Sequence, residues 1–401
     1  MKVTSEIGPL QKVMLYKPGK ELEYLFPMYL EEMLFDEIPW LKRAQEEHDG
    51  FSDTLKKAGV EIYYVDELMS EILDRNNLKK QFITEHLNLS DIANPDTREA
   101  VFDYLMNKTT TETVKTLIKG LRKDYVEQLK KESSFSDLTK ESFPFYLSPL
   151  PSMYFTRDHG IKAQDDIILS SMFNMSRKRE TLFLKYLVEY HPLFASSKPL
   201  AEDLSWPHGL EGGDVLVLKE DTLIVGYSER TTEQAIEWLA HNLLVQEEIF
   251  KEILVVEIPK KRAYMHLDTV FTMLDYDKFL LYPGIKDAIH CYRLRKNSHG
   301  SVDSNKEESL SSMLEKSLDR PVKIIYSGEQ TPITAAREQW GDSTNTLAIK
   351  PGKVICYNRN ERTNEILNKE GIEVLEIEGS ELVRGRGGPR CMSFPIMREP
   401  I

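Results

Sequence analysis

The chain carries one thiol and one imidazole in settings that packing alone does not explain. Cys391 lies in GRGGPRCMSFPI (residues 385–396), behind three glycines and two arginines. Local positive charge lowers a thiol pKa and favours the nucleophilic thiolate. His266 lies in MHLDTVF with Asp268, while Glu211 and Asp214 lie in HGLEGGD and Asp158 in YFTRDHG. Each of these acids, like the imidazole, stands among apolar or glycine residues at the start of a strand-like run. Singly, each has an ordinary structural reading. Asp158 can make an Asx-turn, Asp214 can satisfy backbone N–H groups after two glycines, and His266 can be a hydrogen-bonded core residue. Together, a thiol and an imidazole are the apparatus of nucleophilic catalysis.

The carboxylates narrow that chemistry. Negative charge discourages thiolate formation, so an acid-rich pocket conflicts with a cysteine peptidase. It suits a planar cation: two carboxylates can clamp a guanidinium through charge-assisted hydrogen bonds, and the bound cation offsets their charge. Arg177, Arg179, Arg230 and Arg386 stand near the same stretches. Arginine pairs well with a carboxylate. A substrate with a guanidinium at one end and a carboxylate at the other would use both sets.

Such scattered residues meet only if the fold gathers them. Five stretches read as β-hairpins: 6–19, 159–172, 212–228, 267–283 and 345–358. Several run on into a helix and then a strand. SERTTEQAIEWLAHNLL places Thr231 and Gln234 at capping-box spacing, with helix-period apolar residues after them. NRNERTNEILNKEGIEVLEI and RAQEEHDGFSDTLKKAGVEIYYV each give a helix and a strand, with Gly371 and Gly59 as the helix stops. A unit of hairpin, helix and strand therefore recurs. The expected fold class is α/β, a five-bladed propeller of ββαβ units with pseudo-fivefold symmetry, whose hairpin ends converge on one axis. Residues 1–68 and 146–401 would form this catalytic domain. Residues 69–145 would form an all-helical insertion, with Asp96 capping one helix, Val114, Leu117, Ile118 and Leu121 striping another, and SFSDLTKES as a linker.

Composition excludes other classes. A net charge of −13 without a long basic run argues against nucleic acid. No apolar run suffices for a membrane helix, and the first residues show no secretory signal. Cys291, Cys356 and Cys391 read as reduced thiols in the cytoplasm, and without CxxC or HExxH a metal site has little support.

The ordered set SEIGPLQKVMLYKPGKELE, YFTRD, LEGGD, SERT, HLDT, TNTLAIKPG and GRGGPRCMS resembles the arginine deiminases, of the guanidino-group-modifying superfamily, along nearly the whole chain. The resemblance implies the propeller with a helical insertion, and hydrolysis of L-arginine to L-citrulline and ammonia without metal or organic cofactor. It implies Cys391 as nucleophile, His266 as general acid/base, Asp158 and Asp268 as the guanidinium clamp, and Glu211 as an aid to binding and proton transfer. Arg177, Arg230 and Arg386 would surround the substrate carboxylate and the mouth of the site, Arg179 replacing Arg177 if the match slips by two. Phe155, Leu34 and the backbone at Gly385 would line the pocket. Self-association into a homo-oligomer is expected. One departure is His159, where many members have proline after FTRD; it is expected to face solvent in a loop. The alternatives are a dimethylarginine hydrolase, an amidinotransferase and a non-catalytic arginine sensor.

Overall fold

Alternating apolar runs broken by tight turns give short antiparallel pairs, and amphipathic runs after them give helices that return the chain for a third, parallel strand. The computed structural model describes residues 1–75, 77–125, 143–201, 207–329 and 331–401. It repeats this connection in five units. The second unit pairs Gly160–Ala163 with Asp166–Leu169, crosses by the helix Lys178–Tyr190, and adds Pro199–Ala201 in parallel. The third pairs Val215–Lys219 with Thr222–Tyr227 and adds Glu252–Glu257 after the helix Glu233–Ala240. The fourth pairs Phe271–Met273 with Lys278–Leu281 and adds Lys323–Tyr326. Its crossover contains the antiparallel strands His290–Lys296 and Val302–Glu307, which widen the third unit's sheet to five strands. The fifth pairs Leu347–Lys350 with Lys353–Tyr357 and adds Glu373–Ile377 after the helix Glu361–Lys369.

The first unit departs from the hairpin expected over 6–19. That stretch holds a single strand, Leu10–Leu15, whose antiparallel partner is Phe394–Arg398 from the far end of the described chain. Glu61–Tyr64 joins it in parallel after the helix Leu41–Lys57. Lys-Pro-Gly ends the strand without returning it, because the partner lies elsewhere in sequence. The mixed α/β class holds, with this unit assembled from both ends.

Helices Val65–Leu73, Leu78–Asn88, Pro95–Met106 and Thr110–Lys119 form the helical segment, which is not all-helical as expected: after Gly120 ends the last helix, Leu121–Arg122, with Leu121 of the expected stripe, pairs antiparallel with Phe145–Leu147. The expected boundary at residue 69 falls inside the first of them. Their buried faces, including Met69, Phe82, Val101, Val114, Leu117 and Ile118, join one continuous core with Val13, Phe183, Tyr357 and Met392. Part of the segment's far end, with the linker read over 134–142, lies outside the described residues. Two caps differ from expectation. Asn94 rather than Asp96 accepts from the Thr97 N–H, since Pro95 occupies the first helical turn and puts the cap before it. Thr232 rather than Thr231 caps the third unit's helix, because the Thr231 hydroxyl accepts from the Glu211 N–H at 3.3 Å. Among the described residues no helix is long and apolar enough to cross a membrane.

Candidate active site

The turns at the starts of the second, third and fourth units bring Asp158, Glu211, His266 and Asp268 together with the glycine-rich loop that carries Cys391. Leu34, Phe155, Asp158, Arg177, Arg230, His266, Gly385, Arg386 and Cys391 all border one small space of about 10 Å³. Asp268 adjoins it through a contact of the Cys391 sulfur with its Oδ2 at 3.6 Å. Every one of the five chemistry-bearing residues is at most 3% exposed. Gly213 makes the approach possible: a Cβ there would lie 2.6 Å from His266 Nδ1 and 3.0 Å from Asp158 Oδ1. At Gly385 a Cβ would meet the Tyr154 hydroxyl at 2.1 Å.

On one wall, His266 Nε2 lies 2.7 Å from Glu211 Oε2, and its Nδ1 lies 3.8 Å from Asp158 Oδ1. Burial disfavours an imidazolium, but Asp158, Glu211 and Asp214 outweigh it and lift the His266 pKa to about 9. Burial likewise disfavours the Glu211 carboxylate, yet His266, Arg230 and Arg177 bring it down to about 2. The pair is therefore imidazolium and carboxylate at neutral pH. Asp214 stands behind it in the structural role open to it, accepting from Leu267 N–H at 2.8 Å and Ser228 Oγ at 2.7 Å.

On the other wall, Asn345 organises the thiol. Its Oδ1 accepts from the N–H groups of Gly388 and Cys391 at 3.1 and 2.9 Å, and its Nδ2 lies 3.0 Å from the sulfur. The local positive charge read from the sequence does not govern the thiol. Arg390 turns away to Glu6 at 3.1 and 3.2 Å and to Asp268 at 2.7 Å. Burial, followed by Asp268, Asp158 and Asp342, holds the Cys391 pKa well above its ordinary value. Cys391 therefore rests as a thiol.

Arg177 lies inside the site. Its Nη1 donates to Asp158 Oδ2 at 2.8 Å, and its Nε and Nη2 donate to Glu180 Oε2 at 3.0 and 2.8 Å. Arg179 lies outside, donating to the Ser148 carbonyl. The donor atoms of Asp158, Glu211 and His266 lie within 4.8 Å of one another, a grouping able to hold a cation. The Arg177 guanidinium, also 3.9 Å from Glu211, already provides one. Arg230 approaches Glu211 Oε1 at 4.0 Å. Arg386 adopts φ +67°, stacks 3.5 Å over Trp340 and leaves Nε and Nη2 without partners. Leu34 is held at φ +61°, and its carbonyl accepts from Arg262 at 2.7 Å. His159 contradicts the solvent-facing expectation: it is fully buried, 3.5 Å from Glu180. Its ring follows Asp158 into the interior against the helix Lys178–Tyr190.

Sequence reasoning gave no roles to Asn345, Arg390, Glu180 or Asp342. Asn345 stood in TNTLAIKPG and Arg390 beside Cys391, so their positions were visible while their partners were not. Asp342 is buried, and burial pushes its pKa up to about 7 against the pull of Arg386.

The arginine deiminase family model matches residues 31–398. Arginine deiminases of Bacillus thuringiensis subsp. konkukian (strain 97-27) and Streptococcus agalactiae serotype Ia are 43% and 42% identical, over 100% of this chain and 98% of theirs. Among solved structures, an amidinotransferase from Microseira wollei superposes with TM-score 0.58 at 13% identity, covering 100% of this chain and 98% of its own. A dimethylarginine dimethylaminohydrolase adduct with S-methyl-L-thiocitrulline gives TM-score 0.53 at 14%, covering 96% and 99%. At such identities these two speak for the fold alone.

Proposed function

The chain belongs to the arginine deiminase family, and from that premise we propose how its site hydrolyses L-arginine to L-citrulline and ammonia. The observation that carries the reading is a pair of vacant acceptors. Asp158 and Asp268 each keep one buried oxygen, Oδ1, without a hydrogen-bond partner. Buried carboxylate oxygens are rarely left unpaired, and two beside one thiol suit the N–H groups of a guanidinium.

Arginine binds with its guanidinium against Asp158 and Asp268 as Arg177 gives way. Arg177, Arg230 and Arg386 face the substrate's carboxylate end, and Leu34, Phe155 and the Gly385 backbone wall the pocket. The bound cation offsets the carboxylates that hold the thiol protonated, Cys391 gives up its proton to solvent as the cation enters, and the resulting thiolate attacks the guanidinium carbon. His266, held as an imidazolium by Glu211 and Asp158, gives its proton to the departing nitrogen. The C–N bond breaks, ammonia leaves, and an S-alkylthiouronium remains on Cys391. Neutral His266 takes a proton from water, whose oxygen attacks the same carbon. The C–S bond breaks, the hydroxyl proton passes to the departing sulfur and restores the thiol, and citrulline departs.

We also propose that the five units close as blades of a propeller. Each touches the next: Phe394–Arg398 meets Gly160–Ala163, the turn Thr156–His159 meets Gly212–Asp214, and that turn meets Leu267–Thr269. Thr344 bonds the Thr269 carbonyl at 2.5 Å, and Leu10–Leu15 meets Leu347–Lys350, completing the circuit. The helices from Val65–Leu73 to Thr110–Lys119 are proposed as an insertion that buttresses the first two units. A cytoplasmic location accords with three free cysteines. Self-association into a homo-oligomer is tested by sedimentation equilibrium.

The deciding experiment is release of citrulline and ammonia from L-arginine, with Cys391→Ser as control. Equal release, abolished in the variant, is expected. Turnover of methylated arginine in preference to arginine would support the dimethylarginine hydrolase alternative instead.

A further inference from the structure

We propose that the cavity between the helical segment and the second unit is a second ligand site, which takes a monocarboxylate with an apolar body and shares a wall with the catalytic space. Its effect on arginine rests on the deiminase reading of the site; its existence does not.

The cavity measures about 640 Å³, against about 10 Å³ beside Cys391. Arg177 and Ser152 border both spaces. A cavity of several hundred Å³ with apolar walls and a few placed polar groups is the ordinary form of a small-molecule site. Here Leu89, Ile92, Phe145, Tyr146 and Met175 supply apolar wall. Arg179 and Thr97, each at most 4% exposed, supply polar groups. Arg179 spends its Nη2 on the Ser148 carbonyl at 2.8 Å, while its Nη1 has no hydrogen-bond partner. The Thr97 hydroxyl has none either, since only its N–H is taken up, by Asn94. A guanidinium N–H and a hydroxyl both donate, and a carboxylate is the acceptor that satisfies the two together.

The charges agree. Burial outweighs the pull of Glu180 and Asp91 and brings the Arg179 pKa down to about 10, so this cation is short of a counterion. Of the acids that border the cavity, Glu180 is held by Arg177 at 3.0 and 2.8 Å. Glu32 and Asp91 are exposed, where water screens them. An amine would be repelled by Arg179 and a neutral molecule would leave it uncompensated, so the site selects an acid.

Arg177 carries the consequence into the catalytic space. Its Nη1 donates to Asp158 at 2.8 Å, and Asp158 is half of the proposed guanidinium clamp. An anion on the cavity side draws the Arg177 guanidinium away from Asp158. Linkage then requires that the anion and arginine each favour the other's binding.

The probe is phenylbutyrate, with phenylbutylamine and phenylbutanol as charge controls. Calorimetry on the full chain, in the Cys391→Ser background so that no turnover intervenes, is expected to show one phenylbutyrate per chain, bound about tenfold more tightly than either control. Arg179→Gln is expected to weaken it about tenfold, and Thr97→Val, about threefold, serves if the glutamine variant does not fold. Saturating phenylbutyrate is expected to lower the arginine Kd about threefold, and the arginine KM of wild type likewise. Equal binding of acid, amine and alcohol overturns the site, as does binding indifferent to both substitutions. Displacement of the probe by arginine would put it in the catalytic space and overturns the site too. An arginine affinity unmoved by the probe overturns the shared wall. If wild type released no citrulline, the calorimetry would still decide the site while the deiminase reading failed.

Discussion

At the edge of the third unit's sheet, Glu252 accepts from Ser317 at 2.6 Å and from Arg295 at 2.6 and 2.9 Å, and it also meets Arg293. Arg293 gives its other N–H groups to Glu307, Ser317 and the Met313 carbonyl at 2.6, 2.8 and 2.9 Å. Around Cys391, similar residue types are buried as deeply, yet Asp158, Asp268, Arg230, Arg386 and His159 all keep atoms without protein partners. The first cluster is a closed account of charge, the second an open one. Buried ion pairs gain stability only when every polar atom is satisfied. Unpaired atoms that survive in a folded site are therefore places for a ligand or a proton, and perturbed pKa values gather with them.

The comparison can be broken in three ways. Cys391→Ser should reduce citrulline release by at least about four orders of magnitude while leaving the melting temperature in place. A substantial loss of stability would make the thiol part of the core instead. Glu252→Ala should do the opposite, costing about 3 kcal/mol through the buried arginine left behind, with kcat/KM unaltered. The denaturant midpoint at constant m-value measures this, and a stable but inactive variant would erase the distinction between the clusters. Asp268→Asn should lower kcat/KM about a hundredfold by weakening the clamp. It should also ease thiol ionisation, since Asp268 is second only to burial in holding the Cys391 pKa up. Faster alkylation at neutral pH would show that; unchanged alkylation would remove Asp268 from the thiol's electrostatics.

The smallest effect comes from a residue in neither cluster. His48 is buried without a partner for either nitrogen, and burial takes its pKa from 6.5 to about 3. Below the unfolded value the unfolded chain binds the extra proton, so stability is present above about pH 6.5 and falls as acid is added. The expected loss is about 2 kcal/mol between about pH 7 and pH 5. His48→Leu should flatten that slope, and an unchanged slope would show that His48 does not contribute to it.

Four of the five hairpins were legible because each closes on itself through a short turn. The first was not, since nothing in Leu10–Leu15 announces a partner at Phe394–Arg398. The residues that the fold gathers around Cys391 were legible from their odd settings among glycines and apolar residues. Their electrostatics were not. Arg390 adjoins Cys391 in sequence but spans Glu6 and Asp268 in space. His159 looked like a loop residue because a three-residue view does not show the helix that covers it.

The strand pairing of the first unit also orders events during synthesis. Glu6 and Arg390, bonded in the finished molecule, lie 384 residues apart. A growing chain carries Asp158, His266 and Asp268 long before it carries Cys391. Until Phe394–Arg398 is made, the Leu10–Leu15 strand presents one bare edge. Translation halted before Cys391 would therefore leave a chain without that thiol and with an edge available to another chain, and the site is assembled only once the first unit can be completed.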